Sequence, residues 1–167
     1  MGRQMRAAGG VVMAFALGSV LAGCGAPPPP PPPTVVNLSL SASADVNPTQ
    51  AGQGAPIALR VYQLASTSAF SGAEFFQLFS QDQATLGADL VKRDDMIVAP
   101  GASKTLSLMP LDNVKAIGVF AAYRDYASGV WRASTAVVPH KTTQVTVAAG
   151  RTGIVLTAQP APGAPGS

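Results

Sequence analysis

The chain has 167 residues, with 11 basic against 8 acidic side chains, one cysteine and one histidine. One cysteine excludes an internal disulfide and every multi-cysteine zinc pattern. Without Arg3 and Arg6, which fall in the export segment described next, nine basic residues face eight acidic ones, so no basic block remains of the kind that nucleic acid demands.

In chain order, Arg3 and Arg6 open a positive n-region, Val11 to Leu21 is apolar, and small residues precede Cys24, the order of an export signal. The apolar run is shorter than the ~20 residues that span a bilayer, which favours a cleaved signal over residues 1–23. Leu21-Ala22-Gly23-Cys24 resembles the bacterial lipobox. That resemblance implies an S-diacylglyceryl group and an N-acyl chain on Cys24, several chains making the anchor stable. Gly25 stands where many lipoproteins retained in the inner membrane carry Asp, so the expected address is the outer membrane, facing the periplasm. Residues 24–34 then read as the lipidated cysteine and a tether, of which Pro27 to Pro33 can form a polyproline rod rising ~3.1 Å per residue.

The folded part is expected over residues 35–158, enough to bury a core without staples, with a disordered tail over 159–167. Val36, Leu38, Leu40 and Ala42 alternate with polar residues, the period of a half-buried strand. Asp45 to Pro56 is rich in Gly and turn residues and reads as a long loop. Ile57 to Leu64 resumes as a strand, with Ile57, Leu59 and Val61 on one face and Arg60 and Tyr62 on the other. Ser71-Gly72-Ala73-Glu74 predicts a capping box and, with Phe70 and Phe75 as a hydrophobic staple, a helix from Ser71 to about Gln81. Phe75, Leu78 and Phe79 share its apolar face. Six short segments follow: Met96 to Val98, Lys104 to Met109, Val114 to Tyr123, Val130 to Val138, Gln144 to Ala148 and Gly153 to Ala158. Turn signals separate them. Short strands at this spacing predict a mainly β sandwich or barrel with one added amphipathic helix.

Few residues offer chemistry. His140 is the lone histidine, in a predicted turn, without companions for a metal site and without a G-x-S-x-G nucleophile elbow elsewhere. Asp94-Asp95 suggests paired carboxylates, but adjacent strand residues point to opposite faces, and beside Lys92 and Arg93 the pair reads as a solvated turn. The expectation is therefore no catalytic residue, no metal and no cofactor beyond the lipid, leaving a binding or scaffolding role. A carrier of a small apolar ligand held in the sandwich is the alternative, and a hydrolase built on His140 a more distant one.

Asp45-Val46-Asn47-Pro48, Gly52, Pro56, Arg60-Val61-Tyr62-Gln63-Leu64, Phe70, Phe75, Leu78 and Asp89-Leu90, continued by Pro100-Gly101, Gly118-Val119, Tyr123 and Trp131-Arg132, resemble the TssJ family of type VI secretion lipoproteins, also called VasD or SciN. The resemblance implies a transthyretin-like β-sandwich with an added helix and a non-enzymatic part: an outer-membrane lipoprotein, in several copies, binding the periplasmic C-terminal domain of the inner-membrane protein TssM. In that family the loop between the first two strands contributes to the contact. The corresponding partner-binding candidates here are Asp45, Asn47, Pro48, Gln50, Gly52 and Gln53.

Overall fold

The computed structural model describes residues 28–161, so the expected signal segment and Cys24 lie outside the described residues. The unit that begins at Pro31 contains eight strands: β1 Val35–Ala42, β2 Ile57–Leu64, β3 Leu90–Val98, β4 Ser103–Leu108, β5 Ala116–Ala121, β6 Arg132–Ala136, β7 Thr142–Ala149 and β8 Ile154–Pro160. They form two four-stranded sheets, ordered β4-β1-β7-β8 and β3-β2-β5-β6. Strands β1 and β7 pair in parallel, Val35 opposite Thr142 through Ala42 opposite Ala149; the other pairings are antiparallel. The expected sandwich is the observed one.

The hydrophobic pattern explains the layering. In β1 and β7 buried residues alternate with more open polar ones, because only one face of their sheet is covered. In β5 all six residues are buried, because its sheet is covered on both faces. Between the sheets Val36, Leu38 and Leu40 pack with Ile57, Leu59, Val61, Ile117, Val119, Val145 and Val147. On the opposite face of β2 and β5, Tyr62, Leu64, Ala116 and Phe120 pack against Phe70, Phe75, Leu78 and Leu86. A Cβ at Gly118 would meet the Phe70 ring at 3.1 Å, so glycine there lets that ring reach the sheet.

The helical layer differs from the expectation of one helix starting at Ser71. Two helices form, α1 Ser68–Gly72 and α2 Phe75–Leu86, followed by a 3-10 turn at Gly87–Asp89. The Ser71 N–H donates to the Thr67 carbonyl inside α1, so it has no need of Glu74. The Arg132 guanidinium takes the carbonyls of Phe70 and Ala73, satisfying the end of α1 that a continuing helix would otherwise satisfy. The capping box is Glu74 with Gln77, whose Oε1 accepts from the Glu74 N–H at 2.7 Å. Phe79, expected on the buried face, is 43% exposed.

A second correction concerns Asp94-Asp95, which lies within β3 and not in a turn. β3 is an edge strand of its sheet, where charged side chains are tolerated and block further pairing. The last strand also runs to Pro160, two residues beyond the expected limit of the domain, held there by pairing of Thr143 with Pro160.

Candidate functional site

The sandwich has two ends. Chain direction places Val35, the β4–β5 connection and the β6–β7 turn at the end where the chain enters. The β1–β2 loop, the β5–β6 loop and the β7–β8 turn lie at the far end, as the strand registers require. The partner-binding candidates named from sequence all belong to the β1–β2 loop.

That loop is ordered by its own backbone. Thr49 N–H donates to Gln53 O at 2.8 Å and Gly52 N–H to Thr49 O at 2.9 Å, making a tight tip in which Gly52 has φ +79°, a conformation glycine adopts without the Cβ penalty. Below the tip, Ala55 N–H donates to Val46 O and Asn47 N–H to Arg151 O. The two limbs approach so closely that a Cβ on Gly54 would sit 2.2 Å from the Ala44 carbonyl oxygen. Gly54→Ala is therefore expected to force the limbs apart at a cost of about 1–3 kcal/mol, the range of an overpacked site, read by thermal unfolding; an unchanged midpoint would show that the loop yields freely.

The candidates divide into two kinds. Gln50, Gly52 and Gln53 are exposed and Pro48 is half-buried, the tip rising over a shallow groove that Pro48, Thr49 and Gln50 line together with Arg124 and Asp125 of the β5–β6 loop. Asp45 is exposed, and its carboxylate accepts from Ser43 Oγ at 2.7 Å with Arg151 at 3.6 Å. The Ser43 hydrogen bond leads the effects that hold its pKa below the usual carboxylate value. Asn47 differs from the exposed candidates. It is buried, has φ +47°, donates from Nδ2 to Pro56 O at 3.0 Å and accepts at Oδ1 from the Arg124 N–H at 2.9 Å. Both ends of its amide are engaged within the fold, so it braces the loop. Nearby, Tyr123 donates its hydroxyl proton to Gly150 O at 2.9 Å; burial pushes its pKa up to about 12, so it remains a donor at neutral pH.

The charged network around Asp82 escaped the sequence reading. Asp82, buried on α2, accepts from Tyr62 Oη at 2.9 Å, from Arg93 at 2.8 and 3.0 Å and from the Gln83 N–H at 2.9 Å. Arg60 lies 3.4 Å away and donates to the Leu78 and Phe79 carbonyls at 2.6 and 2.9 Å. Gln81 has non-helical angles, φ −137° and ψ 29°, and that kink frees the carbonyls Arg60 takes. Burial raises the Asp82 pKa, but hydrogen bonds from Arg93 and Tyr62 and the charges of Arg60 and Arg93 outweigh it and hold the pKa below the ordinary value. This network clamps α2 to the sheet.

Trp131 sits between layers, with ring centroids 5.3 Å from Phe75 and 5.8 Å from Phe120 and the Arg132 guanidinium 4.6 Å over its face, a cation–π contact. His140 is exposed in the β6–β7 turn with φ +57°, its Nδ1 3.0 Å from Pro32 O and its N–H donating to Thr34 Oγ1. Among the described residues no group of three or more His, Cys, Asp or Glu is placed to hold a metal ion.

Fold and site together define a loop-presenting β-sandwich with a helical layer on one sheet. A family profile described as type VI secretion lipoprotein, VasD, EvfM, TssJ matches residues 34–152; the chain belongs to this family. The lipoprotein TssJ1 of Pseudomonas aeruginosa is 37% identical, with a TM-score of 0.75 over 78% of this chain and 100% of that one. Lip of Serratia marcescens, a membrane-bound component of the type VI secretion system, is 27% identical, with a TM-score of 0.69 over 75% and 98% of the two chains. A chain in a structure described as the type VI protein TssM C-terminal domain from EAEC is 28% identical, with a TM-score of 0.60 over 73% and 99%. No curated protein sequence matches.

Proposed function

We propose that the chain is an outer-membrane lipoprotein that fastens the type VI secretion membrane complex by binding the periplasmic C-terminal domain of a TssM-like inner-membrane protein, several copies serving one complex. The observation that supports this reading is the course of β1 from the entry of the sandwich to the β1–β2 loop. β1 begins at Val35, after the Pro27 to Pro33 run in sequence, and leads directly to the β1–β2 loop, so one continuous strand joins the entering chain to the candidate contact. A load applied at the loop then passes along β1, which is hydrogen-bonded to a neighbour on each side.

Lipid on Cys24, as S-diacylglyceryl and N-acyl groups, supplies the first attachment; the loop tip with Pro48, Gln50, Gly52 and Gln53, and Asp45 at its base, supplies the second. Polar groups on a rigid scaffold suit a specific interface. The EAEC structure concerns TssM by its own description, and its likeness to this chain is the comparison that favours such a partner. An apolar-ligand carrier finds less support. The space between the sheets is filled by Val, Leu and Ile side chains, and an apolar cleft of about 430 Å³ lies outside it, between β6 and β8 at Thr135, Ala136, Val138 and Ala158.

Titrating residues 35–161 calorimetrically with the C-terminal periplasmic domain of the cognate TssM-like protein tests the contact. Binding is expected, and it should be lost when Asp45 to Gly54 is replaced by a Gly/Ser linker; no binding by the folded wild-type domain would overturn the reading. Cys24→Ser should move the protein from the membrane fraction to the soluble periplasm, and retention in the membrane would defeat the lipid attachment.

A further inference from the structure

At the end where the chain enters, two connections project large apolar side chains into solvent. Met109 and Leu111, between β4 and β5, are 75% and 67% exposed, and Val138, beside β6, is 47% exposed. The turns adjoin: Leu111, Val137, Pro139 and His140 line one shallow cleft with Thr34. They also hold the entering chain, through Val35 N–H to Lys141 O at 3.0 Å, His140 N–H to Thr34 Oγ1 at 2.9 Å and the His140 ring to Pro32 O at 3.0 Å. Lys115, whose Nζ reaches the Asp112 carbonyl at 2.9 Å, and Lys141 flank the apolar residues, with Asp112 the acidic group in the same turns.

We propose that this end is a membrane-contacting surface that rests on the phospholipid leaflet in which Cys24 is anchored, with Met109, Leu111 and Val138 entering the headgroup region and Lys115 and Lys141 facing lipid phosphates. The inference rests on lipidation of Cys24. Only seven residue steps separate Cys24 from Pro31, so the link spans at most about 25 Å, and the entry end is the part of the domain that cannot leave the bilayer's neighbourhood. Under that tether the effective concentration of lipid is high, so a small apolar patch suffices where a free domain would need a far larger one. Long basic side chains beside it can lay their stems on the apolar boundary and keep their charges at the phosphates. Ile97, Val130 and Val155 are exposed as well, on β3, in the β5–β6 loop and on β8, but none of them lies in the turns that hold the entering chain. The outer face of β1 and β7 carries Asn37, Ser39, Ser41, Gln144 and Thr146. The exposed Phe76 packs at 5.1 Å against Tyr126 of the β5–β6 loop, at the far end.

The test uses the lipidated chain in vesicles of phosphatidylethanolamine and phosphatidylglycerol. Cys24 is the only native cysteine and is blocked by lipid, so Leu111→Cys, Val138→Cys, Ser39→Cys and Gln50→Cys each accept one polarity-sensitive NBD label at an exposed site. The expected result is blue-shifted emission at positions 111 and 138, losing at least half its intensity with doxyl-labelled lipids, and water-like, unquenched emission at 39 and 50. Water-like emission at all four positions would overturn the proposal and leave the domain held off the bilayer by its proline rod. Shielding at 111 only after a TssM-like domain is added would overturn it in favour of a protein contact. If wild-type protein fails to float with vesicles and its Cys24 takes the label, the lipidation premise itself has failed, an outcome distinct from the other two.

Discussion

Asp82→Ala is expected to lower the unfolding free energy by about 3 kcal/mol, a loss of roughly 10 °C in the thermal midpoint for a domain of this size. The carboxylate is the shared acceptor of Tyr62, Arg93 and Arg60, and its removal leaves a buried hydroxyl and two guanidiniums without it. Breaking a buried ion pair costs about 3–5 kcal/mol. The lower end applies because both arginines are partly exposed and keep Asp95 at 2.9 and 3.1 Å. The same substitution removes the acceptor for the Gln83 N–H, which restarts α2 beyond the kink at Gln81. Tyr62→Phe, which deletes one hydrogen bond and leaves the charges paired, should cost only about 1 kcal/mol. Equal and small losses for the two variants would show that the network does not clamp the helix.

The pH dependence follows from the same group. The Asp82 pKa is depressed in the folded state, while an unfolded aspartate titrates near ~3.9. Above that value both states are ionised and the full contribution is present. As pH falls below it, the unfolded chain binds the proton first, and stability is lost progressively until the folded carboxyl is also protonated. The wild-type acid limb below about pH 4 should therefore be steeper than that of Asp82→Ala, measured by urea unfolding across that range.

The division between legible and illegible residues follows the range of the interactions involved. Alternation in β1 and the continuous apolar run of β5 could be read in the sequence because burial on one face or on both writes a local period. The facing of β2, with Arg60 and Tyr62 opposite Ile57, Leu59 and Val61, was likewise plain. The partner of that polar face was not. Asp82 lies 22 residues from Arg60 in a helix whose sequence gives no sign of a kink, since the kink is stabilised by an arginine on a distant strand. The error at Ser71 has the same origin. A local capping pattern was present, but Arg132, 59 residues beyond Ala73, ended one helix there and let Glu74 and Gln77 begin another. Asp94-Asp95 misled because a run of charges marks a turn and an edge strand alike. Asn47-Pro48 marked a turn correctly, while the burial of Asn47 depended on Arg124, 77 residues away.

That long-range bond makes Asn47→Ala the sharper probe of the loop. Two half-buried hydrogen bonds are lost, from the Arg124 N–H and to Pro56 O, and alanine must hold φ +47°, where asparagine is tolerated and alanine is strained. A stability loss of about 2–3 kcal/mol is expected from these terms together, visible as a lowered thermal midpoint. Partner affinity should fall at least tenfold with it, because the tip at Gln50 and Gln53 is no longer held against the β5–β6 loop and its ordering must be supplied on binding. Gln50→Ala with Gln53→Ala should do the reverse, leaving the midpoint unchanged while weakening the partner, since both side chains are exposed. Calorimetric titration and thermal unfolding of the two variants therefore separate bracing from contact. If Asn47→Ala lowers the midpoint and leaves affinity intact, the partner does not read the shape of this loop. If the glutamine pair can be removed without effect on binding, the contact lies elsewhere on the far end, with Arg124 and Asp125 of the adjoining groove the next residues to substitute.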